Sequence, residues 1–431
     1  MTAKGHESEV TDQTGISRQF LGWCLFDFAN SILIINGGLY FPQWIVVDNG
    51  ISDFWFNSSL VLSTILLIAS APVLGLLSDK SIGRLPFLKM TSLAMFLSTI
   101  GIDLLHRLLP TGQTKGTLSL IAFAIIIYSY QLGLVFYNTL LANVSSPSRY
   151  GRRSGLGLAS GWIGGIVGIF LILPFVEGHV PLFQPPGRFQ AFLPSAVIFG
   201  VLTVISLIMI GKEPVQTVDR MSKRPIQLYR DLLQDGASLV RSSRHLAIFL
   251  LAYLLYSDAI LTIENNSPIY LERVMHFQDT QKAYLFLLFL FAAAVGGVVS
   301  GFSIARVGHR NTLLGVLIGW LILLSTVALT SNADLFAVLF GLLGLLYGGV
   351  WNTSRVLFLI LIPADRRAEH FGIYSTFERF ASLLGPLLWS GPIVLLAGLG
   401  ILSYRLSMGV MALLVLLSIV VLTRIRFPER M

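Results

Sequence analysis

Charge is scarce in this chain. Only 12% of its residues are Asp, Glu, Lys or Arg, against roughly 25% in an ordinary soluble domain. That shortage excludes a water-soluble globular protein of usual make-up. Cysteine is scarcer still. Cys24 stands alone, so no internal disulfide forms and redox compartment cannot be read from it. The seven histidines are scattered, with no H-E-x-x-H run, no paired cysteines and no Gly-rich nucleotide loop of the P-loop kind. Metal binding and ATP-driven chemistry therefore have no support. No cofactor is implied, and no enzyme signature is present.

What fills the chain is apolar. Of 431 residues, 54% are hydrophobic, and the mean hydropathy is +0.76. This is the composition of a polytopic membrane protein. The first 17 residues are polar and include Glu7, Glu9 and Asp12. They do not read as a cleavable secretory signal, so the first span is expected to stay. Apolar spans are expected near 20–47, 54–77, 86–109, 117–142, 154–176, 190–211, 245–270, 283–304, 312–331, 334–362, 371–396 and 399–423.

The net charge of +8 could suggest nucleic acid, but its distribution argues otherwise. With the amino terminus inside, inner tails and loops carry 22 Lys or Arg and outer loops carry five: Arg107, Lys115, Arg188, Arg273 and Lys282. The remaining three, Arg355, Arg379 and Arg405, fall within spans. Such an excess follows the positive-inside rule and places both termini in the cytoplasm. Short tails and compact loops suggest a bacterial inner membrane. Membrane lipid is the expected surrounding, nucleic acid is not a partner, and a monomer is expected.

The chain is duplicated. GLLSDKSIGR (Gly75 to Arg84) returns 226 positions later as GFSIARVGHR (Gly301 to Arg310). An even number of spans separates the copies, so both loops lie on one side, which is a parallel repeat. A weaker echo joins RYGRRSG (Arg149 to Gly155) to DRRAEHFG (Asp365 to Gly372). The expected organisation is an inner tail over 1–17, a six-helix bundle over 18–211, a linker over 212–244, a second bundle over 245–424 and a tail over 425–431. Within the linker, Ile226, Tyr229, Leu232, Leu233, Gly236, Leu239 and Val240 recur at helical spacing. That pattern reads as an amphipathic helix on the inner leaflet, tethering the halves. Span five carries ladders of small residues (Gly157, Gly161, Gly165; Gly164, Gly168), and span eight has Ala293, Gly297 and Gly301. Small residues let helix backbones approach in lipid, so spans five and eight are expected to pack together across the halves.

Six plus six spans in parallel repeat, with Gly75, Asp79, Lys80, Gly83 and Arg84 after span two, resemble the major facilitator superfamily. The second copy keeps Gly301, Arg306, Gly308 and Arg310 but has Ala305 where the acid would be. WCLFDFANS (Trp23 to Ser31), FYNTLLANV (Phe136 to Val144), SGLGLASGWIGG (Ser154 to Gly165) and PADRRAEHFGIYSTFERFASLLGP (Pro363 to Pro386) resemble the branch related to the fungal autophagy-linked vacuolar amino-acid effluxer. The resemblance implies an all-α membrane fold of twelve transmembrane helices in two bundles. It implies gating roles for Gly75, Asp79, Gly83, Arg84, Arg306 and Arg310. It also implies that spans one, four, seven and ten line a central cavity.

The intramembrane polar residues concentrate on those four spans. Span one has Asp27, Asn30, Ser31 and Asn36; span four has Gln131, Tyr137, Asn138 and Asn143. Span seven has Tyr256, Asp258, Thr262, Glu264, Asn265 and Asn266; span ten has Tyr347, Trp351, Asn352 and Arg355; span eleven adds Glu378 and Arg379. A charged group at mid-bilayer costs about 2.5–3.5 kcal/mol unless paired or wetted, so these should face a bundle interior or a wet cavity. Substrate contact is assigned to Asp27, Asn30, Tyr137, Asn138, Tyr256, Asn265, Trp351, Asn352 and Arg355. Proton coupling is assigned to Asp27, Asp258, Glu264 and Glu378. Asp27, Arg355 and Glu378 fall at one depth, so an ion pair of Arg355 with Asp27 or Glu378 is a rival, purely structural role.

The expectation is a proton-coupled secondary transporter of small zwitterions such as amino acids. Asp27 would meet the amine, and the Arg355 fork the carboxylate. A drug or metabolite exporter of the same fold, or a membrane receptor or assembly factor that moves nothing, are the alternatives.

Overall fold

The computed structural model describes residues 17–78, 83–144, 150–180, 185–211, 230, 234, 243–361 and 382–424. These form twelve helices: α1 (Arg18–Gln43), α2 (Asp53–Leu77), α3 (Leu85–Leu108), α4 (Gln113–Val144), α5 (Tyr150–Val176), α6 (Phe192–Ile210), α7 (Arg244–Arg273), α8 (Asp279–Val307), α9 (His309–Leu329), α10 (Ala333–Leu361), α11 (Gly385–Leu395) and α12 (Ile401–Thr423). Eleven are long and apolar enough to cross a bilayer; α11 is a shorter apolar helix. Serines start several of them. Ser17, Ser52 and Ser243 accept from the amides of Phe20, Phe54 and Leu246, which satisfies amides that have no partner within the helix.

Alternation puts Arg18, Arg84, Arg153, Arg244, Arg306, Arg310 and Arg424 at one end of the molecule, hereafter the basic face. The opposite end is the far face. Packing repeats with a shift of six helices. In the first half α1 lies on α5 and α6, α2 on α4, and α3 on α4 and α6. In the second, α7 lies on α11 and α12, α8 on α10, and α9 on α10 and α12. Between halves, α2 meets α11, α5 meets α8 and α1 meets α7, a set that maps onto itself when the halves are exchanged. This is a parallel duplication about a pseudo-twofold axis. The duplicated loops keep one turn in common: Gly83 has φ 78° and Gly308 has φ 83°, a left-handed conformation that glycine adopts without a Cβ penalty.

The glycine ladders pack differently from expectation. Those of α5 lie on α1, not α8: Gly157 lies against Trp23, Gly161 against Asp27 and Ser31, Gly164 against the backbone of Phe28 and Gly168 against Ile32. The small residues of α8 face α10, where Gly348 lies against the carbonyl of Ala293 and Gly344 against the backbone of Phe289. Both close approaches hold a half together. Between α5 and α8 the contact is made by Ile169, Leu173, Ala283 and Leu290. Small-xxx-small spacing reports that a backbone comes close, and it carries no information on which helix brings it. The linker helix expected over 225–243 and the echo over 365–372 lie outside the described residues, apart from Arg230 and Gln234.

A Cβ on Gly348 would fall well inside contact distance of the Ala293 carbonyl, whereas one on Gly409 would meet nothing. Gly348→Ala should therefore destabilise the fold by about 1–3 kcal/mol, and Gly409→Ala should not, as read by thermal unfolding in detergent.

Candidate functional site

The site grows from α7, the most enclosed span of the molecule. It is held by α1, α10, α11 and α12, yet Leu251 and Glu264 are exposed, and Leu254, Leu255, Leu261 and Asn265 are partly so. These recur every three to four residues, so one narrow face of α7 stays uncovered. Glu264 lies on it and accepts from Tyr347 of α10 at 2.9 Å.

On α1, Asp27 is half-buried beside Ser31 and over Gly161. No described residue bonds its carboxylate. Its neighbours are aromatic. Trp23 stacks on Tyr137 with centroids 4.5 Å apart, and Phe26 lies 5.4 Å from the same ring. The Trp23 indole donates to the carbonyl of Tyr137 at 3.0 Å, fixing α4 to α1. Tyr137 is therefore buried and its hydroxyl has no partner, and Asn30 is buried with an unpartnered carbonyl oxygen. Asn138, one residue on, is exposed.

On α10, Arg355 is exposed, and no carboxylate among the described residues pairs with it. The expected Arg355–Asp27 pair is not formed. Glu378 and Arg379, the other expected partners, lie outside the described residues. Two residues assigned to substrate contact are engaged elsewhere. Tyr256 is fully buried and its hydroxyl lies 2.6 Å from that of Ser354. Asn352 donates to the carbonyl of Gly297 at 3.1 Å and to Ser300 Oγ at 2.9 Å, so it ties α10 to α8. Trp351 stands edge-on between Tyr253 and Tyr347.

At the basic face, the arginines assigned to gating bond within their own halves. Arg84 reaches the carbonyl of Thr139 on α4 at 3.4 Å, and Arg310 that of Thr423 on α12 at 3.0 Å. Arg306 is exposed and Gly75 touches nothing that a Cβ would meet. Asp79 lies outside the described residues.

The far face is the opposite case. Arg188, just before α6, binds Asp48 at 2.7 Å in its own half, and Glu272 at 2.7 Å and Asp279 at 3.0 Å in the other. Lys282 is fully buried and binds Glu272, Asp279 and Gln43 of α1. Arg273 donates to the carbonyl of Val46, and Thr280 to Glu177. One step deeper, Asn57 of α2 and Asn266 of α7 exchange amide bonds at 3.0 and 2.9 Å. Tyr404 of α12 donates to Asp53 at 2.9 Å. These cross-half bonds close the far face. Sequence reasoning counted Arg188, Arg273 and Lys282 only as outer-loop charge. The signal that pointed further was the acids beside them, Glu272 and Asp279.

The arrangement is two bundles bonded to each other at the far face, with one face of α7 uncovered and charged groups of both halves left without partners among the described residues. The molecule is not alone in it. A family model described as "Vacuole effluxer Atg22 like" matches residues 145–429. An uncharacterized MFS-type transporter of Bacillus subtilis, YxiO, is 24% identical over 386 residues, covering 86% of this chain and 87% of that protein. The proton-coupled antiporter flippase LtaA of Staphylococcus aureus is 24% identical over 278 residues, covering 62% and 63%. Among solved structures, the nucleoside transporter NupG superposes with TM-score 0.73 at 14% identity over 94% of this chain and 98% of its own. A bacterial homologue of the iron transporter ferroportin, in an inward-facing state, superposes with TM-score 0.65 at 17% identity over 94% and 97%.

Arg188 joins three carboxylates across the halves, and buried pairs lose about 3–5 kcal/mol when one partner is removed. Arg188→Ala should widen the far face. Distances between spin labels on the α1–α2 and α7–α8 turns should shift from one short population to a mixture, while Arg107→Ala leaves them unchanged.

Proposed function

The chain belongs to the family of Atg22-like vacuole effluxers within the major facilitator superfamily, and from that membership we propose a proton-coupled secondary transporter of small polar or zwitterionic solutes. It is a multi-pass membrane transporter and not an enzyme. Its two bundles rock about a central hollow, so that the site meets one face and then the other. The bundles are taken as 18–211 and 245–424, with both termini in the cytoplasm and the basic face inward, in a bacterial inner membrane. The described state is then closed to the outside.

One observation carries the reading: Asp27 of the first half and Arg355 of the second, of opposite sign, have no partner among the described residues. Desolvating a charge without a partner is costly, so both are expected to be spent on a solute. A zwitterion fits, its amine at Asp27 and its carboxylate on the Arg355 fork. Asn138 and Asn265 are partly or fully open and add amide contacts, while Trp351 supplies an aromatic wall. Tyr256 and Asn352 hold that wall from behind, through the bonds described above, while Asn30 and Tyr137 are buried with an oxygen each unpartnered among the described residues. Asp27, Asp258 and Glu264 are the described carboxylates within reach of a coupling proton. The bond from Tyr347 makes Glu264 the one most fixed in place. Proton coupling agrees with the description of the staphylococcal relative, and solute export with that of the family. Glu378, and Asp79 with Gly83, Arg84, Arg306 and Arg310 at the basic face, complete the proposed coupling and gating set.

Uptake of radiolabelled amino acids into proteoliposomes under an imposed pH gradient tests this. Asp27→Asn and Arg355→Ala should each lower flux at least tenfold, and Arg107→Ala should not. Unchanged flux in both variants would remove the assigned roles.

A further inference from the structure

Of the carboxylates assigned to coupling, one meets the start of a second helix. Asp258 lies midway along α7, and α11 begins against it. The first residue of α11, Gly385, lies directly against the Asp258 carboxylate. Thr262 lies one turn further along α7, on the same face. The fit is close: a Cβ on Gly385 would fall within 2.7 Å of Asp258 Oδ1 and of the Asp258 carbonyl, and nearer still to Thr262 Oγ1. Three oxygens of α7 thus crowd onto the Cα of one glycine.

Two of these oxygens are left over. Asp258 is 6% exposed and Thr262 is 1% exposed, yet Oδ1 of the first and Oγ1 of the second have no hydrogen-bond partner. Buried polar atoms are seldom left unpaired. A carboxylate oxygen and a hydroxyl side by side lack a single thing, which is a proton on Oδ1. Carried there, it would be donated to Thr262 Oγ1, and the hydroxyl could in turn donate to the carbonyl of Asp258 four residues back. No other ionisable side chain is bonded to Asp258 among the described residues. Glu264 and Tyr256 on α7 are held by Tyr347 and Ser354, and Tyr404 of α12 is held by Asp53. Arg405 of α12 binds the Ala328 carbonyl. Asp27 on α1 and Arg355 on α10 are separate, and α11 carries no ionisable group in Gly385–Leu395.

We propose that Asp258 Oδ1 and Thr262 Oγ1 form the seat of the coupling proton, and that its occupation is passed to α11 through Gly385. This rests on the transport reading for the word coupling. With the seat empty, an ionised carboxylate stands at the amino end of α11, where the helix dipole favours negative charge. With the proton bound, that attraction is lost. Loosening at that point is felt by the other half, because α11 packs on α2 across the interface. Ser390 of α11 sits 3.5 Å from the carbonyl of Asp53, at the start of α2. The proton seat and the far-face closure thus share one short helix.

The test uses the full-length protein in lipid nanodiscs and needs no solute. Infrared difference titration reads the carboxyl band. Hydrogen exchange, corrected for its intrinsic pH dependence, reads the amides of residues 385–395. The wild type should show a protonating carboxyl that is missing from Asp258→Asn, and α11 exchange should rise at least threefold as that group takes up its proton. Thr262→Val should titrate at lower pH, because the neutral acid loses its acceptor. If Asp258→Asn does not fold, Asp258→Glu and Thr262→Val carry the comparison. The same titration in Asp258→Asn as in wild type, a midpoint unmoved by Thr262→Val, or α11 exchange that ignores pH would overturn the seat. Each of those results leaves the transport reading standing, and absent uptake of every solute would leave these signals standing.

Discussion

An ionised group inside an apolar slab must be bonded, capped or wetted, and each of the three solutions occupies its own level of this molecule. At the far face the charges are bonded to one another. Arg188 and Lys282 share the carboxylates of Asp48, Glu272 and Asp279 across the two halves. At the basic face the arginines use backbone carbonyls of their own half, as Arg84 and Arg310 do. At the middle, Asp258 lies against the first residue of α11, while Asp27 and Arg355 have no partner among the described residues. The proposed site is placed where charge is left open.

Cohesion within each half has a different source. Glycines of α5 and of α8 and α10 bring backbones together so closely that a methyl group would not fit. Such contacts are dispersion-rich and hard to shear. The contacts between halves are sparser and are polar at the far face. Ion pairs and amide pairs can be exchanged for water or for other polar partners when the face opens, whereas interlocked backbones have no such substitute. On the proposed transport reading the halves are two stiff bodies with a releasable seam.

Much of this was legible from residues. Gly83 and Gly308 sit in copies of one loop because that turn needs positive φ twice, and a duplicated turn is visible as a duplicated motif. Twelve apolar segments appear as twelve helices, although only Gly385–Leu395 of the eleventh is described. The partner of the glycine ladder on α5 was misjudged, since spacing tells how near a backbone comes and not whose it is. Of the far-face network, only the acids Glu272 and Asp279 beside Arg273 and Lys282 gave a signal in the sequence. Its members stand at positions 48, 188, 272, 279 and 282, and only folding brings three chain segments to one point. The same holds for Asp258 and Gly385: the Gly385-Pro386 pair marks a helix start, but nothing local announces that an acid 127 positions earlier will lie against it.

The central claim is a wet hollow open at the basic face and shut at the far face. Side-specific thiol labelling tests it most directly. With Cys24 replaced by serine, cysteines at Asn138 and Asn265 are exposed to a membrane-impermeant reagent applied from one side at a time. The account expects modification from the basic side and protection from the far side, with the far side opened by loss of Arg188. Equal labelling from both sides, or none from either, would contradict it.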